Sequence, residues 1–440
     1  MPAQGWWRGT PDEAGGIPRE HIVPHDITSI GPSNDVVVPL RRARPRDGGR
    51  DELDAIIVGG GTIGLACAWR AARRGLRVRV LERDEPGAGA THVAAGMLAP
   101  VGEANWGEEA LVPLALASAR NWSGFAAELE RESGLESGYE PRGALHVALD
   151  RDEAEELRRR FELMASLDLG VEWLRPRGCR ALEPGLSPSV TAGVHLPGEA
   201  AVDPRLLVPA LAAAVEASGG EMLVEAEVVD ALFEGERIAG VVTADEREHR
   251  ADRVVLATGA WSGASAWLPA AARPPVRPVK GQLLVLRGSP ERTVSTRIVT
   301  TERVYLVPRQ DGRLVVGATV EERGFDLQVT AGGVHEMLRE AYRTLPDVAE
   351  LELAEALAGL RPGTPDNAPL IGPGAIDGLV LATGHYRNGI LLTPVTADAV
   401  AAMLAGEPTP PDAHVAHPGR FGGESAPGLA AAPAGGEAPK

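Results

Sequence analysis

The chain has 440 residues, 44% of them hydrophobic, enough to bury a sizeable core and to build two domains. A net charge of −17 argues against nucleic acid as the main partner, because phosphate binding needs basic surface. Two cysteines make no disulfide framework or metal-ligand pattern, and no apolar run reaches the roughly 20 residues of a bilayer span, so a cytoplasmic protein without metal is expected.

Residues 1–52 are rich in Pro, Gly, Arg and Asp and lack sustained periodicity, which predicts a disordered extension. The first strong signal is 54–64, D-A-I-I-V-G-G-G-T-I-G. An apolar run rich in β-branched residues predicts a buried strand, and Gly59, Gly61 and Gly64 supply G-x-G-x-x-G at the start of a helix. Gly75 closes that helix, and a second strand ends at Glu82. Such glycines let the backbone turn tightly and approach a pyrophosphate, while the helix offers unpaired N–H groups to the anion. A carboxylate ending the second strand suits a ribose diol. Strand, glycines, helix, strand and acid in this order predict a dinucleotide site.

A second small-residue turn follows at 87–98, suited to close packing against a flat ligand. Residues 108–132 read as a helix and 143–149 as a strand. Asp150 and Glu153 resemble a capping box for a helix to about 167, with Leu157, Phe161 and Met164 on one stripe. A helix at 204–218 precedes short strands at 222–229 and 238–243. Residues 254–259 and 379–384, both ending L-A-T-G, predict buried strands that return to the first sheet. Between them, 279–286 and 304–319 look antiparallel, with Asp311-Gly312 marking a hairpin. Helices are expected at 334–345, stopped by Pro346, and at 394–404. The fold class is therefore α/β: a Rossmann-like domain of discontinuous segments (53–105, 196–268 and 348–416), interrupted by an antiparallel α+β domain (106–195 and 269–347). A flexible tail is expected at 417–440.

Several segments match one family together. They are I-V-G-G-G-T-I-G from Ile57, A-A-G-M-L-A-P from Ala94, P-V-K-G-Q from Pro278, A-G-L-R-P-G-T-P-D from Ala358 and G-H-Y-R-N-G-I-L-L-T-P from Gly384. Over about residues 53–405 the chain resembles the FAD-dependent D-amino-acid oxidase superfamily, and within it the glycine oxidases of thiamine biosynthesis. The resemblance implies FAD contacts from Gly59, Gly61, Ile63 and Gly64 at the pyrophosphate and from Glu82 and Arg83 at the ribose. Ala90, Thr91, Ala95, Gly96 and Met97 would line the ribityl chain and the isoalloxazine. Val202 would contact adenine, and His385, Tyr386, Arg387, Asn388, Gly389, Ile390 and Leu391 would wrap the flavin from the other side.

An amino-acid oxidase must hold its substrate carboxylate, and a guanidinium does so with two parallel hydrogen bonds. By the resemblance Arg361 is that anchor, Tyr305 its hydroxyl partner and Arg387 a second arginine near the flavin. No acid–base pair is required if the amine enters unprotonated. His92, one place from where some related dehydrogenases attach flavin, reads as an exposed loop histidine, and the FAD as non-covalent. The expected activity is oxidation of glycine or another small amine, sarcosine or D-amino acids included, by oxygen. A homo-oligomer is expected. The alternatives are a dehydrogenase of the same fold using another electron acceptor, and a non-catalytic flavin-binding subunit.

Overall fold

The computed structural model describes residues 53–291 and 293–421. The expected disordered extension at 1–52 and the stretch beyond 421 lie outside the described residues. Strand β1 (Leu53–Val58), helix α1 (Thr62–Arg73) and strand β2 (Val78–Leu81) follow the reading of the glycine-rich segment. β1 pairs in parallel with β2 on one side and with Glu248–Leu256 on the other. Leu379–Thr383 and Glu221–Leu223 extend this parallel sheet at either edge. Both L-A-T-G strands therefore return to the sheet of β1, Glu248–Leu256 beside it and Leu379–Thr383 one strand further out, where apolar runs are buried on both faces. Ala66, Ala68, Ala71 and Ala72 of α1 are buried, and their small size lets the helix lie close to β1 and to Thr393–Leu404.

The second sheet has eight strands. Its order is Glu352–Gly363, Arg277–Arg287, Arg313–Gly317, Tyr305–Pro308, Ile298–Thr300, Ala144–Ala148, Ala192–Leu196 and Glu172–Leu174. All neighbours are antiparallel except Ile298–Thr300 with Ala144–Ala148. The Asp311-Gly312 signal is realised as the hairpin between Tyr305–Pro308 and Arg313–Gly317, with Gly312 at φ +86°. Helix α3 (Arg151–Ser166) begins as its capping residues predict, since Asp150 accepts from Glu153 N at 3.0 Å. Glu153 reaches back to Leu149 N at 2.7 Å instead of to the cap residue itself. A cap of this kind contributes about 1 kcal/mol.

Two segments depart from the expected domain division. Helix α2 (Val112–Ser133), grouped by sequence with the second domain, buries Leu114, Trp122, Phe125 and Leu129 in the core shared with α1. Arg70 of α1 also pairs with its Glu128. Strand Glu352–Gly363, grouped with the first domain, pairs with Arg277–Arg287 in the second sheet. Pro418–Phe421, expected within the flexible tail, forms a 3-10 turn, and its Arg420 pairs with Asp366 at 2.7 Å.

Candidate functional site

A cavity of about 890 Å³ runs from the end of β1 to the face of the second sheet. That places it toward the upper end of ligand clefts, which span about 300–1,000 Å³. At its first end, Gly59 has φ +111°, and a Cβ there would stand 2.5 Å from Ala257 O. A Cβ on Gly64 would collide with Gly59 O, so this glycine lets α1 start against β1 without reaching the cavity wall itself. Gly59, Gly61, Thr62 and Ile63 do line the cavity, beside the N-terminus of α1. No acidic residue occupies the first turn of α1. This cradle fits a phosphate, which needs close backbone approach and the positive helix end.

Glu82 lines the same end and is fixed by the backbone: it accepts from Gly60 N at 2.5 Å and from Asp84 N at 3.0 Å. Arg83 stacks on Trp261 at 4.2 Å, a wall residue that the sequence reading missed although it follows the first L-A-T-G ending. Val202 is a correction. It is buried in Ala200–Val202, away from the cavity, where its N donates to Gly96 O at 2.8 Å. Val228 and Val229 line the cavity near Glu82 instead, because Ala226 N donates to Glu82 O and draws that segment in.

Ala90, Thr91, Ala95, Gly96 and Met97 form one wall, and His385, Tyr386, Arg387, Asn388, Gly389 and Ile390 contribute to another. Thr91 Oγ1 also accepts from Thr62 N at 3.2 Å, capping α1 from this wall. Leu391 is buried behind, its carbonyl accepting from Ser118 and from Trp122. Burial pushes the His385 imidazole down to about 3, so it is neutral, and its Nε2 is 3.0 Å from Thr396 Oγ1. Tyr386 holds a left-handed φ of +48°, rare for an aromatic residue outside functional sites. His92 is exposed and is not part of the cavity wall. Cys67 and Cys179 are buried away from it.

The second sheet supplies the other end. Arg361 and Tyr305 both line the cavity, close enough for the guanidinium to act on the phenol. Their strands are separated by Arg277–Arg287 and Arg313–Gly317, and glycines on those two strands make the convergence possible. A Cβ on Gly281 would strike the Arg361 guanidinium, and one on Gly317 would strike the Tyr305 ring. Arg361 Nη1 donates to Thr319 O at 3.1 Å, which fixes the fork. Burial raises the Tyr305 pKa against the pull of Arg361, keeping the phenol a neutral donor. Arg387 is differently placed: Glu103 lies 3.0 Å and Glu108 2.8 Å from its guanidinium.

Beside this end stands a polar group that no sequence pattern announced. Gly102, the residue before Glu103, is clasped by Glu199, which accepts from its N at 2.6 Å, and by Arg160, which donates to its O at 2.6 Å. Burial pushes the Glu199 carboxyl up to about 8, against the Gly102 N–H. Burial and then Arg160 push the neighbouring His146 down to about 3.

Among the described residues, no group of three or more His, Cys, Asp and Glu is arranged to hold a metal ion. None of their helices is long and apolar enough to cross a membrane. The glycine cradle, the helix end and the anchored Glu82 instead fit the pyrophosphate and ribose of FAD.

Comparison with known proteins agrees. The glycine oxidase of Geobacillus kaustophilus is 35% identical over 356 residues, covering 80% of this chain and 92% of that protein. The crystal structure of that organism's glycine oxidase superimposes with a TM-score of 0.77 at 33% identity, covering 84% of this chain and 99% of the other. The bifunctional protein ThiO/ThiG of Synechocystis sp. is 36% identical over 84% of this chain, which spans about half, 54%, of its length. Residues 54–403 match the model of the DAO family, FAD dependent oxidoreductase, and the chain belongs to that family of flavoenzymes.

Proposed function

We propose that this chain oxidises glycine, or an amino acid of similar size, with bound FAD and oxygen. The products are an imine, which hydrolyses to a 2-oxo acid and ammonia, and hydrogen peroxide. The observation that carries the reading is Arg361 and Tyr305, brought together at one end of a cavity whose opposite end is a glycine-lined cradle at the start of α1.

The chemistry supplied by a bound FAD is acceptance of two electrons from the substrate Cα–H, with oxygen as the final acceptor. Everything else falls to the chain's own residues. Gly59, Gly61, Ile63 and the start of α1 would hold the pyrophosphate, with Glu82 and Arg83 at the ribose. The walls at 90–97 and 385–390 would sandwich the flavin. A non-covalent FAD is supported by His92, which is exposed and off the cavity wall. The Arg361 fork would take the substrate carboxylate, with Tyr305 O–H as a further donor. Arg387, neutralised by Glu103 and Glu108, would close the cavity beside this clamp without adding net positive charge. Catalysis then rests on orientation: the carboxylate fixes the Cα–H toward the flavin, and the amine enters without its extra proton.

The names of the bifunctional relatives support a place for the imine in making the thiazole of thiamine. A cytoplasmic location and a homo-oligomeric state belong to the same proposal. The test is direct. Anaerobic glycine is expected to bleach the visible flavin bands of the purified protein, and air to restore them with release of peroxide. Bleaching without peroxide would assign the chain to the dehydrogenases, and a flavin that no small amine bleaches would leave a binding subunit.

A further inference from the structure

The hairpin that carries Tyr305 has a second buried polar residue with no part in the clamp. Arg309 follows strand Tyr305–Pro308 and continues its ladder, donating its N–H to Arg313 O at 2.8 Å. Side chains two apart share a strand face, so Tyr305, Val307 and Arg309 point the same way. Tyr305 and Val307 pack in one cluster with Ala95 of the flavin-side wall. Arg309 is 3% exposed, and its Nη2 donates to Ala95 O at 2.6 Å. The strand is thus tied to that wall at one end and offers Tyr305 at the other, roughly 13 Å away at the strand rise.

The arrangement is costly. Arg309 Nε and Nη1 are buried without hydrogen-bond partners. The adjoining cavity, of about 10 Å³, has room for one water at most. Asp203 and Glu140 favour its charge only from a distance, since Asp203 is paired with Arg313 and Glu140 with Arg142. A buried cation held by one hydrogen bond and no partner carboxylate keeps part of its desolvation cost, so its contact with Ala95 O is retained at an expense.

We infer that Arg309 is a positioning residue that registers the substrate-facing sheet on the loop lining the flavin, so that Tyr305 and Arg361 meet the substrate at the correct distance from the ring. The inference rests on the oxidase reading for its kinetic part but not for its binding part.

The experiment compares Arg309→Met and Arg309→Lys with the parent enzyme, each purified with FAD. In Arg309→Met, kcat for glycine and the anaerobic bleaching rate at saturating glycine are expected to fall about tenfold or more, with KM changed by less than about threefold. FAD, titrated into stripped protein by fluorescence with no substrate present, should bind about tenfold more weakly. Arg309→Lys, which keeps a donor for Ala95 O, should recover most of the FAD affinity. Parent-like kcat and FAD affinity in Arg309→Met would overturn the inference. So would equal losses of thermal stability in both variants with kcat intact, which would reduce Arg309 to packing. If Arg309→Met does not fold, Arg309→Lys decides alone: FAD affinity kept with kcat lowered by about threefold or more supports the inference, because an ammonium cannot hold the strand as the guanidinium does, and a parent-like kcat overturns it. A parent that binds FAD but never oxidises glycine sinks the oxidase reading and leaves the FAD titration to judge Arg309.

Discussion

The two ends of the cavity are built in opposite ways. At the phosphate end a single β1–α1–β2 unit makes the cradle, its acid Glu82 bonded to Gly60 N within the unit. At the substrate end Arg361, Tyr305, Glu103 and Arg387 come from distant segments and meet through sheet register and ion pairs. The first end therefore depends on local backbone shape, where a single methyl group is decisive. The second depends on long-range registration, where charge and hydrogen-bond geometry are decisive.

The sharpest test of that contrast is Gly64→Ala. The added Cβ would collide with Gly59 O, a backbone atom that cannot yield without moving β1 or α1. Loss of bound FAD and a melting temperature lowered by several degrees are expected, read from visible absorption and thermal melts, for a cost of about 3 kcal/mol or more. A yellow, parent-like variant would break the comparison. Next, Arg361→Lys should leave FAD content unchanged and lower kcat/KM for glycine by about tenfold to a hundredfold, because an ammonium cannot reproduce the fork. Normal turnover at ordinary glycine concentrations would remove Arg361 from the clamp.

Gly359→Ala probes where the two ends meet. Its Cβ would strike Val93 Cγ2, within the wall at 90–97. A loss of about 1–3 kcal/mol is expected, measured by chemical denaturation, with partial recovery when Val93→Ala is added. The last test concerns pH. Glu199 is neutral in the folded chain up to about 8, whereas an unfolded glutamate ionises near 4.5. Folding therefore retains a proton that the unfolded chain loses, and this residue makes stability fall as pH rises from about 4.5 to 8. Glu199→Gln should match the parent near pH 5 and gain on it up to about pH 8 in thermal melts. Parallel curves would mean that Glu199 is ionised in the fold.

How much of this could be read beforehand follows the same division. The cradle was legible because a strand period, glycine spacing and a terminal acid all lie within one short stretch. The hairpin at Asp311-Gly312 and the cap at Asp150 were legible for the same local reason. The start of helix Ala331–Thr344 was hidden by Gly332 and Gly333, which weaken the helical signal, although Thr330 caps it by accepting from Gly333 N. Val202 was assigned to adenine when its backbone holds Gly96, since nothing in its neighbourhood says which strand edge faces a ligand. The motif around Arg361 pointed to the residue but not to the sheet that carries it. Glu199, Arg160 and His146 are single residues on separate elements, so only the fold brings them to Gly102.

The Thr91 hydroxyl, bonded to the first helical N–H of α1, joins two parts of the dinucleotide site that its ligand would otherwise have to join by itself. Recognition at the phosphates and at the tricycle is thereby mechanically shared. An adenine nucleotide lacking the flavin head is therefore expected to order the far wall as well as the cradle.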